Sequence, residues 1–127
     1  MTSTSPTLRG IRVLIVEDNF VVADSLRFML TGYDATVTAA VPSLAHAEAV
    51  LARDAVDVAI LDIDLKGTSV VPLADELRRR GIPFVFVSGY GDEELLPERL
   101  RPSPRFDKPV EAKRLVDCLI EIARRRK

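Results

Sequence analysis

The stretch that decides the fold is Val56-Asp57-Val58-Ala59-Ile60-Leu61-Asp62-Ile63-Asp64-Leu65. Residues 56–61 form an almost uninterrupted apolar run, which is typical of a strand covered on both faces. Such a strand predicts a parallel sheet between two layers of helices. The carboxylate of Asp62 follows the run where the strand should end. Because an unpaired carboxylate at that point costs free energy, a purely structural role for Asp62 is disfavoured.

Apolar runs and amphipathic stretches alternate on both sides of this segment. The other runs are residues 11–16, 35–41 and 84–87, and a weaker fifth strand lies around residues 105–107. The predicted helices are one that Asp18 or Asn19 caps and Gly32 ends, a second from Ser43 to about residue 53, a third over residues 70–80, and a last one from about residue 110. The alternation predicts an α/β fold with a five-stranded, doubly wound parallel sheet and helices on both faces.

The stretch over residues 89–104 breaks this regular pattern. Two glycines and three prolines interrupt it, so a fourth helix is confined to about residues 92–100. We expect that helix to be short or mobile.

The composition fits one globular domain. The 127 residues are 47% hydrophobic and 29% charged with a net charge of −1, which favours neither nucleic acid nor an anionic membrane as a partner. Thr and Ser dominate residues 1–9, which we expect to be a disordered leader before a single domain over residues 10–127 with no output domain. The chain has one cysteine and neither a signal peptide nor a membrane-spanning run, so a cytoplasmic location is expected.

Polar residues follow the predicted strands at one edge of the sheet. Glu17 and Asp18 follow the first strand, Asp62 the third, Ser88 the fourth and Lys108 the fifth. The second strand delivers no polar group, as expected if it lies at the margin of the sheet. Ligands bind at this edge of parallel sheets. Three clustered carboxylates repel one another and require a cation, for which Mg²⁺ is suited and Mn²⁺ can substitute. With a lysine and a hydroxyl opposite, the set favours phosphoryl transfer onto a carboxylate.

Four motifs in this order resemble the receiver domain of bacterial two-component response regulators. They are Val16-Glu17-Asp18-Asn19, Leu61-Asp62-Ile63-Asp64-Leu65 with Gly67, Val87-Ser88-Gly89 and Asp107-Lys108-Pro109. Each motif is weak alone, but four in sequence at strand ends are specific. The resemblance covers residues 10–124 and implies the flavodoxin-like strand order 2-1-3-4-5.

The resemblance also implies a role for each site residue. Asp62 corresponds to the phosphoacceptor. Asp18 corresponds to a direct Mg²⁺ ligand, Glu17 to a water-mediated one and the main-chain carbonyl of Asp64 to another. Ser88 corresponds to the hydroxyl that moves onto the phosphoryl group, and Lys108 to the lysine that ties that group to the fifth strand. The implied donors are a histidine kinase, a histidine phosphotransfer protein or a small phosphodonor.

The segment over residues 83–91 is similar to an atypical receiver subgroup named for a Phe-Ala-Thr-Gly-Tyr motif, although Val87 and Ser88 depart from that motif. Membership implies a kinase of the HWE type as the partner. Most receivers place a switching aromatic three residues before the lysine, where this chain has Arg105. We therefore expect a change in residues 89–104, pulled by Ser88, to signal phosphorylation to an output protein. That protein would bind the face formed by the fourth helix, fifth strand and fifth helix.

Two other functions remain open for the same residues. One is a phosphate sink that drains a shared kinase without binding an output partner. The other is an aspartyl-phosphate phosphatase, because Asp64 lies at the spacing of a second catalytic aspartate. The expected function is instead a stand-alone switch in a phosphorelay, which catalyses only its own phosphorylation and dephosphorylation.

Overall fold

The computed structural model describes residues 7–89 and 91–125. In chain order the elements are β1 (Arg12–Val16), α1 (Phe20–Gly32), β2 (Thr36–Val41), α2 (Leu44–Arg53), β3 (Val58–Asp62), β4 (Asp64–Leu65), β5 (Thr68–Ser69), α3 (Val71–Arg79), β6 (Phe84–Ser88), β7 (Arg105–Asp107) and α4 (Ala112–Arg125). None of the described helices is both long enough and apolar enough to cross a membrane.

Five of the strands form one sheet in the order β2-β1-β3-β6-β7, and every neighbouring pair is parallel. Counting only these five strands, the order is 2-1-3-4-5, so the predicted fold class is confirmed. Every residue of the central strands β3 and β6 is buried, whereas β2 is only partly covered. Three of the four apolar runs, residues 11–16, 56–61 and 84–87, therefore lie in the centre of the sheet, and the second strand lies at its margin as predicted.

Successive strand residues face opposite sides of the sheet and divide the core into two layers. In one layer Leu14, Leu61 and Phe86 pack with Leu51 of α2 and Leu73 of α3. In the other Ile15, Ile60 and Val85 pack with Leu26 of α1 and Leu119 of α4. Helices thus cover both faces, and the carboxyl ends of the strands meet at one edge.

The helix that leads away from this edge starts at a defined cap. The Oδ1 atom of Asn19 accepts hydrogen bonds from the backbone N–H groups of Val21, at 2.9 Å, and Val22, at 3.2 Å. Of the two predicted caps, Asn19 is therefore the one used, which leaves the carboxylate of Asp18 available to the site.

The core includes a residue that the sequence assigns to the leader. Leu8 is fully buried among residues of the α1 and α4 layer, and its N–H donates to the carbonyl of Tyr33 at 2.7 Å. The leader predicted over residues 1–9 therefore extends too far, because Leu8 already belongs to the core. Residues 1–6 lie outside the described residues.

A small antiparallel hairpin follows β3 and was not predicted. Its two-residue strands β4 and β5 pair Asp64 with Ser69 and Leu65 with Thr68. The turn between them uses Lys66 and Gly67, both with positive φ, 53° and 81°. Strands of this length are too short for an alternating pattern to indicate them.

The described part of residues 89–104 contains no α-helix. Two 3₁₀ turns, Asp92–Leu95 and Glu98–Leu100, take the place of the fourth helix. Leu96 and Leu100 are buried in the α2 and α3 layer and anchor the segment to the core. The regular structure here is therefore as short as predicted, but it consists of two 3₁₀ turns instead of an α-helix, and its mobility stays a prediction.

Candidate functional site

Three carboxylates from two neighbouring strands meet at the carboxyl edge of the sheet. Glu17 and Asp18 directly follow β1, and Asp62 ends β3, which pairs with β1. One oxygen atom from each of the three side chains lies within 4.8 Å of the others. Glu17 and Asp62 are each only 3% exposed. The structure thus brings together the acidic residues that the sequence analysis singled out.

Lys108 reaches this cluster from the far side of β6. Its Nζ atom lies 3.1 Å from Oε1 of Glu17 and 3.5 Å from Oδ2 of Asp62. Burial alone lowers the pKa of Lys108, but contact with Glu17 and the charge of Asp62 outweigh it, so the pKa is raised. The lysine therefore stays an ammonium group across the physiological range.

One ammonium group does not balance the three carboxylates. Burial raises the pKa of Asp62, and hydrogen bonding and repulsion from Glu17 raise it further, to about 7. The charge of Lys108 and a hydrogen bond from the N–H of Asp64 to Asp62 Oδ1, at 3.2 Å, lower it only in part. Without a further cation, a substantial fraction of Asp62 is protonated near neutral pH.

The donor atoms of the cluster fit a small divalent cation. Oε1 of Glu17 is buried and accepts no hydrogen bond from the described residues, although the ammonium of Lys108 is close. The ammonium is shared with Asp62 and compensates this buried oxygen only in part, so a bound cation would stabilise it further. Carboxylate oxygens are the ligands that Mg²⁺ and Mn²⁺ prefer in proteins. The side chains of Glu17, Asp18 and Asp62 therefore fit a divalent metal ion.

Asp64 is positioned differently from the other acidic residues. Its side chain is exposed, and its Oδ1 accepts a hydrogen bond from the N–H of Gly67 at 3.1 Å. The carboxylate thus closes the turn of the β4–β5 hairpin and does not join the cluster. The proposed contribution of its main-chain carbonyl to a metal stays a prediction.

Ser88 is fully buried at the end of β6, but its hydroxyl is held by a residue that the sequence analysis did not select. Its Oγ donates to Oδ1 of Asp107 at 3.2 Å. The two residues are paired in the register of β6 and β7, and the N–H of Lys108 donates to the carbonyl of Ser88 at 2.8 Å. Strand pairing was the signal that could have identified Asp107, since both residues end neighbouring strands.

The loop after Ser88 is tied to the first 3₁₀ turn. The N–H of Gly89 donates to Oδ2 of Asp92 at 2.7 Å. A Cβ atom at Gly89 would lie 3.3 Å from the same oxygen, so the close approach favours glycine. Tyr90, which follows Gly89, lies outside the described residues.

Arg105 stands where most receivers have the switching aromatic, and its side chain is exposed. Arg105 is exposed on the edge strand β7, whereas the adjacent Phe106 is partly buried against the α1 and α4 layer. A cavity of about 250 Å³ lies beside Arg105 and is also lined by Gly89, Gly91, Glu93, Asp107 and Lys108.

An apolar surface adjoins the carboxylates at the start of α1. Phe20 is 75% exposed, Val21 64% and Phe28 83%. Val21 and Phe28 are seven residues apart and share one side of the helix, and Phe20 lies next to the cap. We refer to these three residues as the α1 surface.

A flavodoxin-like sheet with clustered carboxylates at its carboxyl edge and a lysine from the last strand defines the class of response regulator receivers. The family model described as "Response regulator receiver domain" matches residues 13–119, so the chain belongs to this family. Members of the family act in two-component signalling with histidine kinases or phosphotransfer proteins.

Three solved structures are similar over nearly the whole chain. SdrG from Sphingomonas melonis Fr1 is 34% identical, with a TM-score of 0.78, and the match covers 88% of this chain and 95% of that one. The NtrX receiver domain from Brucella abortus is 24% identical, with a TM-score of 0.76, over 88% and 98% of the two chains. A CheY-like receiver from Methanospirillum hungatei JF-1 is 21% identical, with a TM-score of 0.77, over 91% and 94%. The latter two share the fold. No curated protein sequence matches significantly.

Proposed function

We propose that Asp62 accepts a phosphoryl group from a histidine kinase or a histidine phosphotransfer protein in a Mg²⁺-dependent reaction, and that the product is a protein-binding switch. The observation that carries this proposal is the buried Asp62 carboxylate between two other carboxylates and the ammonium of Lys108. Lys108 and the N–H of Asp64 compensate the burial of this carboxylate only in part, and the group has the neighbours that an acyl phosphate requires.

Each residue has a distinct task in this reaction. A carboxylate oxygen of Asp62 attacks phosphorus while the bond from phosphorus to the donor breaks. Glu17 and Asp18 hold the cation, which when bound neutralises charge on the phosphoryl oxygens. Lys108 already lies 3.5 Å from Oδ2 of Asp62 and can pair with a phosphoryl oxygen there. Only the ionised carboxylate attacks. A nearby positive charge that lowers the pKa of Asp62 from about 7 therefore increases the fraction of Asp62 that can react at neutral pH.

The α1 surface supports a protein donor. Large exposed apolar side chains beside a buried reactive group are typical of a binding surface, because docking removes them from water. A helix of a kinase or phosphotransfer protein that covers Phe20 and Phe28 would bring its phosphohistidine to the carboxylate edge. A kinase of the HWE type and membership of the atypical subgroup remain part of the proposal. The motif around Ser88 supports them.

The output partner is proposed to bind the face formed by the two 3₁₀ turns, β7 and α4. Phosphorylation adds negative charge next to Ser88, which ends β6, and next to Lys108, which follows β7. Leu95, in the first 3₁₀ turn, is 55% exposed and offers this partner an apolar contact. A sink that only drains the kinase would use the same phosphorylation site without this contact.

The position of Asp64 does not favour the phosphatase alternative. A second catalytic carboxylate must reach the phosphoryl group, but that of Asp64 accepts from Gly67 in the hairpin turn. We therefore propose that the chain turns over no external phosphate ester.

A labelling experiment tests the phosphorylation site. The protein is incubated with acetyl phosphate and Mg²⁺, and the acid-stable, base-labile phosphate is quantified for wild type, Asp62→Ala and Asp54→Ala. Asp54 is an exposed aspartate after α2 and serves as the control. We expect Asp54→Ala to label like wild type and Asp62→Ala to remain unlabelled. Equal labelling of all three proteins would contradict the proposed function.

A further inference from the structure

The hydrogen bond between Ser88 and Asp107 points to a control on the proposed reaction. We propose that Asp107 is a positioning residue that holds the Ser88 hydroxyl away from the phosphoryl site and so sets the free-energy cost of the phosphorylated arrangement. This inference rests on the proposed function, because it requires a phosphoryl group on Asp62.

The hydroxyl of Ser88 carries a single hydrogen atom that it can donate. Oγ of Ser88 donates it to Oδ1 of Asp107 at 3.2 Å, and the structure shows no other hydrogen bond from this hydroxyl to the described residues. A hydroxyl can donate to one acceptor at a time. It therefore cannot donate to a phosphoryl oxygen on Asp62 until the bond to Asp107 breaks.

The backbone around Ser88 is fixed more firmly than its side chain. The N–H of Lys108 donates to the carbonyl of Ser88 at 2.8 Å, and the N–H of Gly89 donates to Asp92 at 2.7 Å. Both bonds hold the peptide unit that follows the Ser88 Cα atom, and a bond from the N–H of Ile63 to the carbonyl of Val87, at 3.0 Å, holds the peptide unit that precedes it. Rotation of the Ser88 side chain is therefore the least costly way to exchange Asp107 for a phosphoryl oxygen.

The side chain of Asp107 has room to rotate, although its backbone is paired in β7. It is exposed on an edge strand and lines the cavity of about 250 Å³ with Arg105 and Lys108. When Ser88 leaves, the carboxylate can be solvated there, whereas the buried hydroxyl cannot be. Separating the pair therefore costs the free energy of the hydrogen bond between Ser88 and Asp107. The bond that Ser88 forms at phosphorylated Asp62 must outweigh that cost.

Beryllofluoride, a stable mimic of the phosphoryl group, provides the measurement. Its affinity for the full chain is measured by calorimetry in saturating Mg²⁺ for wild type, Asp107→Ala and Asp107→Asn. Asp107→Ala leaves the buried hydroxyl of the resting state without its acceptor, so we expect about 3- to 10-fold tighter binding. Asp107→Asn keeps an oxygen acceptor at the same place, so we expect an affinity closer to wild type than to Asp107→Ala.

Two controls separate the hydrogen bond from a general charge effect. Glu111→Ala removes an exposed negative charge four residues after Asp107, and its affinity should stay within about twofold of wild type. In a Ser88→Ala background the effect of Asp107→Ala should vanish, because the hydroxyl through which it acts is gone.

Four results would overturn the proposed role of Asp107 and leave the proposed phosphorylation of Asp62 intact. They are an affinity of Asp107→Ala equal to wild type, an equal gain in Glu111→Ala, an Asp107→Asn variant that behaves like Asp107→Ala, and an undiminished effect in the Ser88→Ala background. If wild type binds no beryllofluoride and takes no phosphoryl group on Asp62, the proposed function fails as well. Beryllofluoride binding by wild type thus separates the two failures.

Discussion

Replacing Asp62 by Asn should stabilise the protein in the absence of a divalent cation, and the gain should grow with pH. The pKa of Asp62 is raised from 3.8 to about 7 in the folded chain. Because the folded chain disfavours the charged carboxylate, no stability is lost below the ordinary pKa of 3.8. The free energy of unfolding then falls as pH rises from 3.8 through about 7. Asn carries no charge at any of these pH values, so the variant escapes the loss.

The size of the effect follows from the shift of about three pK units. At about 1.4 kcal/mol per unit, burying the charged carboxylate costs roughly 4 kcal/mol at pH 8 and less than about 2 kcal/mol at pH 5. The advantage of Asp62→Asn over wild type should therefore increase by about 2 to 3 kcal/mol between pH 5 and pH 8. Most carboxylate replacements at salt-bridged sites have the opposite sign, which makes the prediction specific.

Urea denaturation in EDTA at several pH values measures the effect. Asp54→Asn, at an exposed position, serves as the control and should show no comparable pH dependence. Saturating Mg²⁺ should then stabilise wild type by about 3 kcal/mol at 100 times its dissociation constant and stabilise Asp62→Asn much less. An Asp62→Asn advantage that is absent at pH 8, or that does not change with pH, would refute the argument from buried charge.

Three further predictions concern the lysine, the α1 surface and the start of the core. Lys108→Met removes the ammonium next to Asp62, so the pKa of Asp62 should rise further and labelling by acetyl phosphate at pH 7 should fall at least about tenfold; an unchanged rate would exclude Lys108 from the reaction. Phe28→Ser should slow phosphoryl transfer from a phosphotransfer protein more than labelling by acetyl phosphate, because it alters the docking surface; equal effects in parallel assays would contradict this. Leu8→Ala should lower the free energy of unfolding in urea by about 2 to 4 kcal/mol, whereas a change below about 0.5 kcal/mol would show that Leu8 does not stabilise the core.

Much of the acidic cluster could be predicted because strand ends are visible in the sequence. The apolar run before Asp62 locates the end of β3, and Glu17 follows the run of β1 in the same way. Parallel pairing then places both carboxylates at one edge without knowledge of any side-chain conformation. Lys108 follows the same rule, since it directly follows β7.

The features that could not be predicted depend on side-chain conformation or on single residues. The hydrogen bond from Ser88 to Asp107 depends on a χ1 angle and on strand register, which an apolar pattern does not specify. Leu8 is one buried residue within a polar stretch, so the composition of residues 1–9 concealed it. The β4–β5 hairpin has strands of two residues, below the length at which periodicity is detectable.

The central claim is that Asp62 is the residue phosphorylated. Its most direct test maps the site: the protein labelled by acetyl phosphate with Mg²⁺ is reduced with borohydride, which converts an aspartyl phosphate to homoserine, and the peptides are analysed by mass spectrometry. We expect homoserine at position 62, and no such product when EDTA replaces Mg²⁺. Homoserine at another aspartate, or phosphate on the exposed His46 with Asp62 unmodified, would contradict it.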